Sequence, residues 1–133
     1  NPHHQKYIDM LEMVQRRAAR FTLGRFHNTS SVTEMLQELG WEPLAHRRRV
    51  ACLVIFYKIR SSLIAVPMPP FVTPPNRPRP GHLHQYKVPY CSTESYKNSY
   101  FPQTIRYWNH LPSSIAYQSS LPLFKTALSS HSF

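Results

Sequence analysis

Acidic residues are scarce in this chain: 133 residues carry six Asp and Glu against sixteen Lys and Arg, and Asp9 is the single aspartate. A two-metal phosphoryl-transfer centre needs clustered carboxylates, and this chain offers no such cluster. Cysteine is scarce too. Cys52 and Cys91 are the only two, so the sequence is no disulfide scaffold and suits a reducing compartment. Cys52, inside an apolar run, reads as a small core residue. No secretory signal is visible, and the longest apolar run, 50–57, falls far short of the roughly 20 residues of a membrane span. The eight histidines are scattered without an acidic orienting residue, which argues against a Ser/His/Asp or Cys/His catalytic set.

What is present is apolar residues and positive charge. Hydrophobic residues make up 41% of the chain, enough to build a core and to exclude wholesale disorder. The charge is uneven. Residues 1–42 hold five basic and five acidic groups, whereas residues 43–133 hold eleven basic groups and one acid, Glu94. Such an excess favours a polyanionic partner; the alternative is a merely soluble basic surface. The chain opens on Asn1 in mid-phrase, which reads as a fragment of a longer protein.

Local signals predict a mainly α fold. Residues 5–23 form an amphipathic first helix, with Tyr7, Met10, Leu11, Val14, Ala18 and Phe21 on one face expected to meet a core. Lys6, Arg16, Arg17 and Arg20 fall on the opposite half, and Gly24 is the C-terminal cap. A polar connection over 27–30 follows. Ser31-x-x-Glu34 is a capping box that starts a short helix through Leu39, stopped by Gly40. Pro43 suits the first turn of a third helix, expected to reach Ile64 because no Gly or Pro interrupts residues 44–66. Its apolar residues point nearly all round, which predicts the central helix of a three-helix bundle. Seven of residues 67–80 are proline, which predicts an extended strap. Residues 82–90 alternate loosely, with Tyr86, Val88 and Tyr90 on one side, and predict a strand. Two short helices close the chain, one from Phe101 to about Asn109 and one over 121–128. The expected division is a helical bundle over 1–65, a proline-rich linker over 66–81, and a C-terminal extension of one or two strands and two short helices over 82–133.

Several phrases stand in a fixed order: Ile8 to Phe21 (IDMLEMVQRRAARF), Thr29 to Trp41 (TSSVTEMLQELGW), Arg47-Arg48-Arg49, Phe56-Tyr57-Lys58-Ile59, the proline strap, Tyr100 to Pro112 (YFPQTIRYWNHLP), and Phe124-Lys125. Together they resemble the C-terminal end of the reverse-transcriptase polyprotein of non-LTR (LINE-type, Jockey-like) retrotransposons. The resemblance covers nearly the whole chain. It implies that 1–65 is the end of a thumb region and that the rest is the family's C-terminal extension. It further implies a non-catalytic fragment of an RNA-directed DNA polymerase that braces the palm and grips template–primer nucleic acid. The parent's Mg2+-binding aspartates have no counterpart here, so no catalytic residue, cofactor or metal site carries over. The implied partners are RNA, an RNA–DNA hybrid or DNA, held through phosphates, and the upstream palm; no membrane is implied. The compartment stays open, intracellular and nuclear at integration if the parent is active. The rival reading is a structural or protein-interaction module without nucleic-acid contact.

Candidate phosphate ligands are Arg16, Arg17 and Arg20, since guanidinium pairs bidentately with phosphate. The alternative is a solvated helix face in which Glu12 pairs Arg16 at i, i+4. Arg47, Arg48 and Arg49 are about 100° apart on a helix and cannot all meet one backbone. Arg47 and Arg48 are kept as candidates, with pairing to Glu42 or Glu38 as the alternative. Cations at a helix N-terminus oppose its dipole, so another interaction must hold them. Lys87, Lys97 and Arg106 lie among Tyr86, Tyr90, Tyr96, Tyr100, Phe101, Tyr107 and Trp108. Interleaved basic and aromatic residues suit a single strand, although Phe101 and Trp108 also suit a core. His82-x-His84 with Cys91 falls short of the four ligands of a structural zinc site.

Overall fold

A computed structural model describes residues 2–27, 31–77, 80–131 and 133. Among these the fold is all-α, with seven helices and no strand. Two compact units divide the chain, Pro2–Arg48 and Arg49–Phe133.

In the first unit, α1 (Gln5–Leu23) ends where Gly24 takes a left-handed φ of 63°. The Gly24 and Arg25 N–H groups bond back to the Phe21 and Arg20 carbonyls, a Schellman closure. Helix α2 (Val32–Glu38) starts as the capping signature predicts: the Ser31 side chain accepts from the Glu34 N–H. Gly40 at φ 63° and the Trp41 N–H to the Leu36 carbonyl repeat the Schellman closure. The connection expected over 27–30 lies mostly outside the described residues.

Helix α1 does not pack through its apolar stripe. Gln15 and Ala19 are its buried residues, with Ile8, Glu12 and Leu23 half-buried along the same line. Val14 is 62% and Phe21 79% exposed, and Tyr7, Met10 and Leu11 are exposed with them. The buried line lies roughly a third of a turn from the expected one. Polar anchoring sets this rotation. The Gln15 amide donates to the Glu42 carbonyl at 2.8 Å, and the Glu12 carboxylate accepts from the Leu44 and Ala45 N–H groups at 3.2 and 2.8 Å. Glu12 thus caps α3 (Leu44–Arg60) from another helix.

Helix α3 is helical throughout 50–57, as predicted, but stops at Arg60, short of Ile64. Ser62 adopts a left-handed φ of 54°, and the Ser62 and Leu63 N–H groups bond to the Ile59 and Lys58 carbonyls. A serine makes the turn that glycine makes elsewhere, so no sequence signal marked the end.

The second unit holds the aromatic core. Leu53, Phe56 and Tyr57 of α3 meet Ile105 and Trp108 of α5 (Tyr100–Asn109), Ile115 and Ala116 of α6 (Ser113–Ala116), and Phe124 and Leu128 of α7 (Leu121–Ser129). Tyr57 stacks on Phe124 with ring centroids 4.4 Å apart, and Phe56 lies 5.3 Å from Trp108. The Tyr57 hydroxyl donates to the Gln118 carbonyl at 3.0 Å. Burying such a ring is worth about 1.5–3 kcal/mol. Two short helices were not expected: α6 and α4 (Glu94–Lys97), the latter capped by the Thr93 hydroxyl. The proline strap packs on this core through Val72, with Met68 beside it; Pro78 lies outside the described residues.

The strand predicted over 82–90 is absent. Its backbone groups pair with side chains and helix-end carbonyls instead of a ladder. The Asn109 side chain accepts from the Tyr86 N–H at 2.9 Å and donates to the Tyr86 carbonyl at 2.8 Å, standing in for a neighbouring strand. The Trp108 indole donates to the His84 carbonyl at 2.7 Å. His82 Nε2 bonds the Trp108 carbonyl at 2.8 Å, and the Gln85 amide donates to the Asn109 carbonyl at 3.3 Å. Among the described residues one backbone bond, Lys87 N–H to the Thr73 carbonyl, ties the segment to the strap. Gly81, at φ 125°, admits the turn into this clasp; a Cβ there would sit 2.5 Å from the Gln85 amide nitrogen.

Candidate nucleic-acid interface

The rotation of α1 leaves its basic face outward. Arg16 and Arg17 are exposed, while Arg20 is half-buried with its Nε enclosed and unbonded among the described residues. The alternative pairing of Glu12 with Arg16 does not form among the described residues, because both Glu12 oxygens accept from N–H groups at the α3 N-terminus. The same carboxylate sets a negative charge at the positive end of the α3 dipole. Glu38 pairs with Arg25 at 2.7 Å and Glu42 with His46 at 3.5 Å. Arg47 is exposed beside a hollow shared with Gly40, Trp41 and Glu42, and Arg48 is half-buried. Five of the sequence-predicted residues, Arg16, Arg17, Arg20, Arg47 and Arg48, therefore belong to the first unit.

Lys87, Lys97 and Arg106 belong to the second unit. Lys87 borders a hollow with Pro75, Asn76 and Arg77. Lys97 pairs with Glu94 at 3.3 Å, an exposed contact worth little. Arg106 donates to the Lys97 carbonyl at 2.5 Å and lines a cleft of about 520 Å³ with Arg49, Tyr107, His110, His131 and Phe133. The Arg49 guanidinium lies 5.0 Å from the Tyr107 ring centre and 5.1 Å from that of Phe133, flanked by both. His110 Nδ1 donates to the Arg106 carbonyl at 2.6 Å, which directs Nε2 elsewhere. Arg49, His110 and His131 were missing from the sequence-derived site. The i, i+4 spacing of Arg106 on α5 and His110 at its C-cap was the available signal.

The aromatics divide sharply. Trp108 is fully buried, and Phe101 packs on the core. The Tyr86 hydroxyl accepts from the Arg60 guanidinium at 3.2 Å. The Tyr100 hydroxyl donates to the Cys52 carbonyl at 3.1 Å, and burial pushes its pKa well above the usual phenol range. Burial likewise raises the Cys52 thiol, leaving it protonated and unreactive at neutral pH. Tyr90 and Tyr96 stay exposed. His82 and His84 do not converge: His82 is buried in the clasp and His84 is exposed, while the Cys91 thiol donates to the Pro89 carbonyl.

Fold and surface together define an all-α chain with basic surfaces on both units. Among the described residues no helix is long and apolar enough to cross a membrane. No family model, curated protein or solved structure matches this chain.

Proposed function

We propose that this chain is a non-catalytic C-terminal piece of a non-LTR retrotransposon reverse transcriptase. On this reading residues 1–65 correspond to the end of the thumb, 66–81 to a strap and 82–133 to the C-terminal extension, with α3 burying Leu53, Phe56 and Tyr57 against α5, α6 and α7 in place of the expected central position in a three-helix bundle. The piece grips the template–primer duplex through phosphates and braces the polymerase palm. One observation carries the reading: away from its buried line, α1 leaves a broad arc uncovered that carries Arg16 and Arg17 and, continuing from Arg17, Tyr7, Met10, Leu11, Val14 and Phe21. A helix that only completed its own domain would bury those apolar side chains. A helix lying between a duplex and a partner domain uses both kinds of side chain. The parent would hold Mg2+; this chain contributes no ligand to it.

The exposed apolar face equally favours the second reading, a protein-interaction module without nucleic-acid contact. Salt separates the two. Changing Arg16 and Arg17 to glutamate should weaken binding of an RNA–DNA hybrid for all sequences alike. It should also lower the salt slope by about one unit per lost phosphate contact. Glutamate keeps the helix, so circular dichroism should not change. Arg77→Glu in the strap is the control and should matter less. Hybrid affinity that is flat in salt, or that drops equally in the control, would leave the interaction module standing.

A further inference from the structure

The cleft between the C-terminal half of α5 and the end of the chain is built unlike the arginine face of α1. It is concave, and the six residues that line it carry two guanidinium groups, two imidazoles and two aromatic rings, with no Asp or Glu side chain. Arg49 is fixed there by ring faces at 5.0 and 5.1 Å, and its Nε is buried without a partner among the described residues. A guanidinium stacked in this way has its stem immobilised and presents its in-plane donors with little further loss of freedom. Arg106 is held across the cleft by its bond to the Lys97 carbonyl. His110 is oriented by its Nδ1 bond to the Arg106 carbonyl.

We infer that this cleft is a binding site for one nucleotide unit of single-stranded nucleic acid, its phosphate between Arg49 and Arg106 and its base on the side of the Tyr107 and Phe133 rings that the Arg49 guanidinium leaves uncovered. A duplex presents its phosphates on a convex surface and keeps its bases stacked inside. A concave pocket with apolar walls admits only a strand whose base is splayed out. Guanidinium forks bind phosphate and carboxylate alike; the two aromatic rings beside them are what favours a nucleotide over an acidic peptide, because a base stacks on a ring. The site deepens the nucleic-acid reading above and rests on it, while using residues separate from the α1 arginines.

The test compares a fluorescent oligothymidylate with an RNA–DNA hybrid on the full chain at one salt concentration. Arg49→Gln and Tyr107→Leu should each weaken the single strand about tenfold, as loss of a phosphate contact or a stacking wall does, and change the hybrid less than about twofold. Arg16→Glu with Arg17→Glu should do the reverse. Should Arg49→Gln fail to fold, the wild-type chain still decides: the His110 and His131 ring protons must shift on titration with oligothymidylate. Unmoved histidine signals, equal losses on both ligands, or tighter binding of polyglutamate would overturn the site. If neither the single strand nor the hybrid binds, the nucleic-acid reading itself falls. If the hybrid binds through α1 while the cleft is silent, only the site falls.

Discussion

The two units solve the same problem, fixing helices on one another, by different means. Among the described residues, eleven of the fourteen buried hydrophobics form one core in Arg49–Phe133, around Phe56, Trp108 and Phe124. Among the described residues of Pro2–Arg48 only Ala19 and Met35 are buried hydrophobics, and Glu12 and Gln15 join the elements through hydrogen bonds. The difference teaches where cohesion comes from. Apolar burial is non-directional and grows with area, whereas a charged cap fixes one geometry and contributes little more than its own bonds. The second unit has the means to stand by itself. The first buries Met35 and half-buries Trp41 but leaves Val14, Phe21 and Phe26 exposed.

Deleting the central ring is the strongest test of that contrast. Trp108→Ala removes a fully buried indole and its bond to the His84 carbonyl, and should cost about 3–5 kcal/mol. Hydrogen exchange should show α5 and α7 losing protection while α1 keeps its own. Equal loss in both units would make them one cooperative body.

A smaller effect should follow in the first unit. Glu12→Ala uncaps α3 and should cost about 1 kcal/mol, up to roughly 2. The signature is faster exchange at the Leu44 and Ala45 amides with the protection of the α5 and α7 amides unchanged. Unaltered exchange there would mean that solvent caps α3 as well as Glu12 does.

The smallest effect is a pH dependence confined to the second unit. Burial lowers the His82 pKa below its ordinary 6.5, against the opposing Trp108 carbonyl and with help from His84 and Arg60. The unfolded chain therefore takes up a proton near 6.5 that the folded clasp accepts only at lower pH. The stabilisation is complete above 6.5 and is lost as the pH falls from 6.5 through the folded value. Exchange protection of residues 82–86 should fall on acidification, and His82→Gln, which cannot titrate, should flatten the profile. A wild-type profile as flat as the variant's would remove His82 from the account.

Sequence alone set the elements whose signals are local. Gly24 and Gly40 ended α1 and α2, Ser31 began α2, and the apolar spacing of Ile105 and Trp108 marked α5, because caps and periodicity act within a turn or two of chain. Tertiary structure decided what depended on distant partners. The face of α1 that is buried follows from where Glu12 and Gln15 find backbone groups some thirty residues away. Residues 82–90 alternate like a strand but lack a neighbour, and Asn109 takes the neighbour's place. Helix α3 ends on a left-handed serine that composition does not flag. The same distinction governs the candidate site. The arginines of α1 are readable as a pattern on one helix. The cleft exists only because folding brings Arg49, Arg106 and His131 together, and no local rule links positions so far apart in the chain.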